Sequence, residues 1–262
     1  MAARVSRRQV IAATSAASFL QALQQPVQQS PLEQLLAACP APNRLQKSFL
    51  TFWREEVFTK DESRGGAVRK APDWPMFVDL EDDLLTEPLQ VWDKARRVMA
   101  SWLACAFDVW LIAGGQDPRW PALMQSRQNR QIILAAGHLE EIAGSAWFLQ
   151  ERVRFIVEAL EERNIRERWP DFPEFSWSFT QGRASNGGRI NAVAQGKDQL
   201  RGPGATAIHM EEISRWTQAK ESIESAKLVT QGGGHCYCLT TAKVGVFAAD
   251  LVLDRVGENL WR

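Results

Sequence analysis

Cysteine is scarce in this 262-residue sequence, which contains four: Cys39, Cys105, Cys236 and Cys238. Four cysteines in a chain of this length are too few for a disulfide framework, so the sequence favours a reducing compartment. Cys236 and Cys238 lie two residues apart in an apolar run, with no second Cys or His pair at zinc-ligand spacing. We therefore interpret them as buried strand residues and not as metal ligands.

An excess of charge of one sign is also missing, because 31 Lys and Arg residues balance 31 Asp and Glu residues. This balance gives no support to a protein that coats nucleic acid by bulk attraction, but it is compatible with a local basic patch. No apolar run reaches the roughly 18 to 20 residues that a membrane span needs. The nearest, Trp102 to Ala113, is shorter and contains Asp108. The sequence therefore predicts a chain that does not cross a membrane.

The N-terminus also lacks the continuous apolar stretch that a signal peptide needs. Residues 6–11 resemble the start of a twin-arginine export signal, but Thr, Ser and then several Gln residues interrupt the segment that follows. An exported enzyme is therefore the weaker interpretation. Residues 1–45 are predicted to form a peripheral helical arm, and residues 46–262 the main domain.

The composition that is present, 45% hydrophobic and 24% charged residues, is that of a folded globular protein. Short apolar runs alternate along the chain with longer segments of helical periodicity. The predicted strands are 88–92, 131–136, 205–210 and 236–241, and the predicted helices are 101–113, 140–163 and 214–231. This alternation indicates an α/β fold with a mainly parallel central sheet covered by helices on both faces.

Two regions depart from this alternation. Residues 175–180 alternate aromatic and polar side chains, and residues 189–194 follow Gly187 and Gly188. These two runs are predicted to pair as a β-hairpin. Residues 51–83 combine charged and aromatic side chains with Gly and Pro pairs, and are predicted to form short helices and loops.

The loop from Lys94 to Ser101 joins a predicted strand to a helix that is apolar on every side. Such a loop points several backbone N–H groups at one place, which favours an anion. Lys94 would add a positive charge for phosphate, and the Ser101 hydroxyl would be placed to ligate Mg²⁺. The loop lacks the glycines of the standard phosphate-binding loop, so a solvated basic loop with Ser101 as an ordinary helix N-cap is the alternative.

Two adjacent carboxylates, Glu211 and Glu212, end another predicted strand, and the hydroxyls of Thr240 and Thr241 end a third. Phosphoryl transfer to water needs one carboxylate in the Mg²⁺ shell and another that orients and deprotonates the water. The acids also fit the first turn of the next helix, where they suit the helix dipole. Since ligands bind at the carboxyl ends of strands in open α/β sheets, we expect these groups at one edge.

Three ordered motifs carry a family resemblance: residues 94–102 read KARRVMASW, residues 201–212 read RGPGATAIHMEE, and residues 231–242 read QGGGHCYCLTTA. They resemble the deviant Walker A motif K-[SA]-R-Q-x-x-x-[ST]-W, the approach to Walker B with its catalytic glutamate, and the coupling motif in the ATPase domain of tailed-phage terminase large subunits. Those proteins are motors that package DNA into procapsids. The resemblance runs from about Trp74 to Ala242 and implies a P-loop NTPase of the catalytic-glutamate type.

The resemblance implies a role for each matching residue. Lys94 would hold the β- and γ-phosphates of ATP, Ser101 and Glu211 would hold Mg²⁺, and Glu212 would activate water. Further nucleotide contacts are implied for Ala95, Val98, Met99, Ala100 and Trp102 and, near the adenine, for Trp74.

Transition-state charge would be stabilised by Arg96 or Arg97, and Thr240 and Thr241 would sense the γ-phosphate and couple hydrolysis to movement. The implied partners are double-stranded DNA, a portal protein, a small terminase subunit and further copies of the chain in a ring. The implied location is the cytoplasm of the infected host cell, with transient attachment to the procapsid. Local basic groups that would contact DNA, or equally form a solvated face, are Arg119, Arg127 and Arg130, or Arg163, Arg166 and Arg168.

Three departures from the family pattern affect the expected activity. Glu211 stands where Asp is usual, and Arg97 stands where Gln is common. Terminase large subunits usually continue into a nuclease, whose acidic cluster Asp250 and Asp254 alone do not supply, so we expect no nuclease activity. A degenerate, non-catalytic assembly module that binds a portal or small-subunit partner is the alternative function.

Overall fold

The computed structural model describes residues 48–61, 65–94, 99–120, 129–139, 145–196, 199–200 and 204–241. All of them belong to one compact unit, Ala41–Arg262. The N-terminal arm predicted for residues 1–45 lies outside the described residues. Among the helices that are described, none is long and apolar enough to cross a membrane.

A seven-stranded sheet forms the centre of this unit, and a separate two-stranded hairpin precedes it. The hairpin strands are β1 (Phe58–Asp61) and β2 (Ala67–Lys70). The sheet strands are β3 (Leu89–Asp93), β4 (Gln131–Ala136), β5 (Phe175–Trp177), β6 (Gln181–Ala184), β7 (Arg189–Ala194), β8 (Ala207–Glu211) and β9 (His235–Thr240). Their spatial order is β3-β9-β8-β4-β7-β6-β5. The first five strands in this order pair with one another in parallel, whereas β7 with β6 and β6 with β5 pair antiparallel.

Six α-helices accompany the strands in the described part of the chain. They are α1 (Phe49–Glu55), α2 (Met76–Thr86), α3 (Ala100–Ile112), α4 (Ala146–Glu161), α5 (Ile165–Arg168) and α6 (Ala219–Gln231), and a 3₁₀ turn spans Ile213–Arg215. The predicted α/β fold with a mainly parallel sheet is confirmed. The predicted helix 214–231 begins later, at Ala219, because the chain is extended at Trp216, whose indole N–H donates to the Glu211 carbonyl.

The predicted hairpin between residues 175–180 and 189–194 is wrong in its pairing. Strand β6 lies between the two runs, so β5 pairs with β6 and β6 pairs with β7. The backbone turns at Ser178, whose N–H donates to the Gln181 carbonyl. Gly182 permits the close approach of β5, since a Cβ there would lie 2.4 Å from the Trp177 ring.

The small hairpin of β1 and β2 lies in the region predicted as short helices and loops. Gly65 and Gly66 precede β2 with φ angles of +65° and +81°, which glycine adopts without steric cost. Cations fix the hairpin on aromatic rings: Lys60 Nζ lies 4.4 Å from the centre of the Phe155 ring on α4. The hairpin therefore packs on α4 and extends the domain beyond the central sheet.

Helix α3 is the centre of the hydrophobic core, and every one of its 13 residues is buried. A helix that is apolar on all sides has to be covered on all sides, as the sequence predicts. The ring of Phe107 in this helix packs edge-on against Phe49 of α1 and against Tyr237 of β9. Burial of each such side chain contributes roughly 1.5 to 3 kcal/mol, so α3 is a firm support for the loop that precedes it.

His235, the first residue of β9, is buried beside the Trp120 ring. Burial lowers the pKa of His235 from 6.5 to about 4; a hydrogen bond with the Glu87 backbone opposes this change, and the positive charge of Arg130 adds to it. Between these two pKa values an unfolded His235 binds a proton that the folded one does not. Folding is therefore expected to weaken as the pH falls from 6.5 to 4, by up to about 3 kcal/mol.

A His235→Gln variant isolates this contribution. Urea unfolding of both chains across pH 4 to 8 is expected to show a difference in the free energy of unfolding that shifts in favour of the variant as the pH falls. Two curves that stay parallel throughout this range would contradict the buried, neutral imidazole.

Candidate active site

The order of the strands brings three polar strand ends together. Strands β3, β9 and β8 are adjacent and parallel, so their carboxyl ends lie at the same edge of the sheet. Asp93 pairs with Thr240, and Glu211 pairs with Leu239. The Lys94 N–H donates to the Thr240 carbonyl at 2.9 Å, which continues the ladder past the end of β3. The backbone hydrogen bonds of the sheet therefore fix the Cα positions of the residues at these strand ends.

Lys94 and the two adjacent acids meet at this edge. The Lys94 Nζ lies 2.9 Å from Glu211 Oε1 and 3.0 Å from Glu212 Oε1. The Ser101 hydroxyl, from the first turn of α3, donates to the same Glu211 Oε1 at 2.7 Å. The ammonium and the hydroxyl thus contact carboxylates that lie more than 100 residues further along the sequence.

The backbone of Glu212 explains how neighbouring acids reach one ammonium. In a continuous strand, Glu211 and Glu212 would point to opposite faces of the sheet. Glu212 instead has φ 55° and ψ 44°, in the left-handed region that residues other than glycine seldom occupy. This turn directs the second carboxylate toward Lys94 as well. Strained backbone of this kind is held by its surroundings and is concentrated at functional sites.

Ser101 is not the N-cap of α3, which excludes the ordinary capping role. Met99 occupies that position with φ 58° and makes no side-chain capping bond. The first helical bond of the helix is from the Leu103 N–H to the Met99 carbonyl. The N–H groups of Ala100 and Ser101 consequently have no partner within the helix and form an anion-attracting terminus.

The two threonines at the end of β9 contact different parts of the Glu212 turn. The Thr241 hydroxyl donates to Glu212 Oε1 at 3.2 Å. The Thr240 hydroxyl is buried and accepts from the Ser214 N–H, also at 3.2 Å. Both residues therefore connect β9 to the segment that carries the second carboxylate.

The charges of this cluster depend on one another. Burial alone would raise the pKa of Glu211, but contact with His209 and the charge of Lys94 outweigh it and lower the pKa to about 2. Burial would lower the pKa of Lys94, whereas the carboxylates of Glu211 and Glu212 raise it above its usual value. Both groups are therefore charged at neutral pH, and the pair is stable only as a pair.

Sequence reasoning missed a buried extension of this cluster. His209, two residues before Glu211 on β8, has its Nδ1 atom 2.8 Å from Asp108 Oδ2 of α3. Burial would lower the pKa of His209, but the adjacent Asp108 carboxylate raises it to about 9, so the ring donates to Asp108. The Tyr237 hydroxyl donates to the other Asp108 oxygen. The available signals were a single acid within an all-apolar helix and a histidine within a buried strand.

The remaining predicted nucleotide contacts are placed as follows. The Trp102 ring is buried, edge-on to Phe155 at 5.7 Å, so only the backbone of Trp102 is available to a phosphate. Trp74 stacks on Phe77 at 5.5 Å, and its contact with adenine stays a prediction. Ala95, Arg96, Arg97 and Val98 lie outside the described residues.

The predicted DNA contacts need one correction. Arg130 is buried, with Nη1 donating to the carbonyls of Leu111 and Gly115, so it does not form part of a basic surface. The other described candidates have partly exposed side chains that bind acids or carbonyls of the chain: Arg119 with Asp117 and Asp82, Arg163 with Ala159, Arg166 with Glu161, and Arg168 with Glu56. Arg127 lies outside the described residues.

The donor set at the sheet edge fits Mg²⁺. Glu211 Oε1 lies beside the Ser101 hydroxyl, and among the described residues the buried Oε2 of Glu212 accepts no hydrogen bond. Carboxylate and hydroxyl oxygens are the ligands that Mg²⁺ prefers, usually one or two from the protein together with phosphate oxygens and water. Ser101 and Glu211 supply such a pair, and the N–H groups at the N-terminus of α3 add donors for phosphate. The arrangement is therefore chemically suited to hold a magnesium nucleotide.

Solved phage terminases share features of this fold. The crystal structure of the HK97 bacteriophage large terminase matches with a TM-score of 0.56 at 13% sequence identity, over 79% of this chain and 40% of that chain. The ATPase domain of the Thermus phage P74-26 large terminase, in a mutant form, matches with a TM-score of 0.45 at 14% identity, over 70% of each chain. No protein-family model and no curated protein matches the sequence. The chain thus shares the fold of part of the HK97 large terminase, and it spans two fifths of the length of that protein.

Proposed function

We propose that this chain is a terminase-type ATPase that hydrolyses Mg-ATP and uses the energy to translocate double-stranded viral DNA into a procapsid. The observation that carries the proposal is the meeting of Lys94, Ser101, Glu211 and Glu212 at one edge of the sheet, within 3.0 Å contacts. The fold shared with part of the HK97 large terminase is compatible with the same function.

Binding is assigned to Lys94, Ser101 and the start of α3. Lys94 would exchange its two carboxylate partners for the β- and γ-phosphate oxygens, while the N–H groups of α3 donate to the same phosphates. This exchange leaves Glu211 Oε1 free to join Ser101 in holding Mg²⁺. Bound Mg²⁺ supplies positive charge that stabilises the transferring phosphoryl group.

Activation of the attacking water is assigned to Glu212. Its carboxylate loses the Lys94 contact when Lys94 binds phosphate, and it is then available to orient the water and accept its proton. Thr241 keeps one oxygen of Glu212 in place through its hydroxyl. Movement of β9 relative to β8 would therefore alter the position of the base, which provides a route from nucleotide state to mechanical movement through Thr240 and Thr241.

The proposed function also includes binding partners and a location in the cell. Double-stranded DNA, a portal protein, a small terminase subunit and a ring of further copies are inferred from the terminase fold, and so is the cytoplasm of an infected host as location. Arg96 or Arg97 is proposed to stabilise transition-state charge, and Trp74 to contact adenine. No nuclease activity is proposed for this chain.

A second candidate, the non-catalytic assembly module, is favoured by one observation. Lys94 is neutralised by two carboxylates, so phosphate has to compete with both of them for the ammonium. Steady-state ATP hydrolysis by the purified chain, with Mg²⁺ or with EDTA and with or without double-stranded DNA, distinguishes the two functions. Mg²⁺-dependent turnover that DNA stimulates is expected. Nucleotide binding without any turnover selects the assembly module instead.

A further inference from the structure

A polar face crosses the otherwise apolar helix α3. Ser101, Cys105 and Asp108 are spaced i, i+4 and i+7, so they lie on one side of the helix. His209 and Glu211 are two residues apart on β8 and therefore share a face of the strand. Contacts from Ser101 to Glu211 and from Asp108 to His209 show that the two faces oppose each other. All five side chains are buried.

A continuous line of polar contacts runs along this interface. It starts at Tyr237 of β9, which pairs with His209 in the sheet register and whose hydroxyl donates to Asp108 Oδ1. The other oxygen, Asp108 Oδ2, accepts from His209 Nδ1 at 2.8 Å. On the far side of the same ring, His209 Nε2 lies 3.6 Å from Glu211 Oε2. Both nitrogens of the His209 ring thus face carboxylates. On the Nδ1 side the ring is held by Asp108 of α3, which is itself held by Tyr237 of β9.

This series of contacts ends at Glu211 Oε2, the carboxylate oxygen that does not contact Ser101 or Lys94. Glu211 Oε1 contacts Ser101 and Lys94, whereas Oε2 faces His209 and has no hydrogen bond among the described residues. A glutamate has three side-chain torsions, so its carboxylate needs restraint to stay in one geometry. When Lys94 leaves for phosphate, the contacts of Glu211 with Ser101 and His209 remain.

We propose that His209 is a positioning residue of the active site: held by Asp108 and Tyr237, its ring fixes the carboxylate plane of Glu211 and hence the oxygen that takes part in Mg²⁺ binding. The inference rests on the proposed function, because it assigns Glu211 to Mg²⁺. Partners behind a metal-binding side chain orient it, and their loss typically reduces metal affinity or activity by about 10- to 100-fold.

A resident metal bound by this cluster is the competing interpretation. Ligand atoms of Cys105, Asp108 and His209 all lie within 4.8 Å of one another. However, both Asp108 oxygens and His209 Nδ1 already take part in hydrogen bonds, and a metal would need those same atoms. Cys105 has no part in the line from Tyr237 to Glu211. The contacts therefore favour positioning, and Cys105 separates the two interpretations experimentally.

The test compares nucleotide binding of the full chain and its variants with a fluorescent ribose-modified ATP. His209→Phe keeps a ring but removes both nitrogens, and Tyr237→Phe removes only the hydroxyl at the outer end. We expect His209→Phe to raise the Mg²⁺ concentration for half-maximal enhancement of binding by about 10- to 100-fold. Tyr237→Phe shifts it less in the same direction. The affinity of both variants for the nucleotide in EDTA should equal that of the wild type. A general loss of folding would lower this affinity as well.

Cys105→Ala is the matched control from the same buried face, and it should keep the wild-type Mg²⁺ dependence. Equal Mg²⁺ dependence in wild type, His209→Phe and Tyr237→Phe overturns the positioning role. If His209→Phe does not fold, the Tyr237→Phe shift alone decides. Stoichiometric metal in the purified protein that Cys105→Ala removes would establish the metal interpretation instead. A wild-type chain that binds no nucleotide overturns the proposed function itself, a result distinct from all of these.

Discussion

Replacement of Glu212 by Gln is expected to lower kcat for ATP hydrolysis by about 100- to 10,000-fold, the usual contribution of a positioned general base. The amide keeps the size of the side chain and can still accept from Thr241, but it cannot take a proton from water. Lys94 retains Glu211 as its partner, so the fold is expected to persist. Affinity for Mg-ATP should therefore remain near that of the wild type while turnover is lost.

Steady-state kinetics together with equilibrium nucleotide binding measure the two effects separately. Glu224→Gln is a matched control, since Glu224 is an exposed acid on α6 with no part in the cluster. It should have wild-type kcat. Hydrolysis by Glu212→Gln at the wild-type rate would remove Glu212 from the proposed role, and equal losses in both variants would point to a cause other than proton transfer.

The parallel part of the fold follows from hydrophobic patterning. The runs that become β4 and β9 are apolar and bounded by polar residues, as strands buried on both faces are, and α3 is apolar on every side. Strand β2 could not be found this way because all four of its residues are exposed. Strand β6 is short and contains Gly182, which weakens any strand signal.

The site was predictable only as far as linear motifs reach. Spacing indicated Lys94, Ser101 and the acid pair, since each follows or precedes a strand or helix at a recognisable position. The left-handed backbone at Glu212 was not predictable, because glutamate has no preference for it and the surrounding contacts impose it. The pairing of His209 with Asp108 joins residues 101 positions apart, so only the packing of α3 on β8 reveals it.

Substitution of Lys94 by Ala is expected to reduce kcat/KM for ATP by at least about 100- to 1,000-fold, the effect of removing one charged donor to a transition state. The same change should destabilise the chain without nucleotide. The Lys94 side chain is 13% exposed and neutralises both Glu211 and Glu212, so its loss leaves one buried and one partly buried carboxylate without their cation. Loss of one partner of a buried ion pair costs up to about 3 to 5 kcal/mol.

A double variant separates these two consequences of losing Lys94. Adding Glu212→Gln to Lys94→Ala removes one of the two uncompensated charges, so the free energy of unfolding should recover in part while turnover does not recover. Lys220→Ala, at an exposed position of α6, should alter neither quantity. Wild-type turnover in Lys94→Ala would exclude Lys94 from phosphate binding. If stability did not recover in the double variant, the ammonium would not be the group that holds the two acids together, and the exchange of Lys94 from carboxylates to phosphate would lose its physical basis.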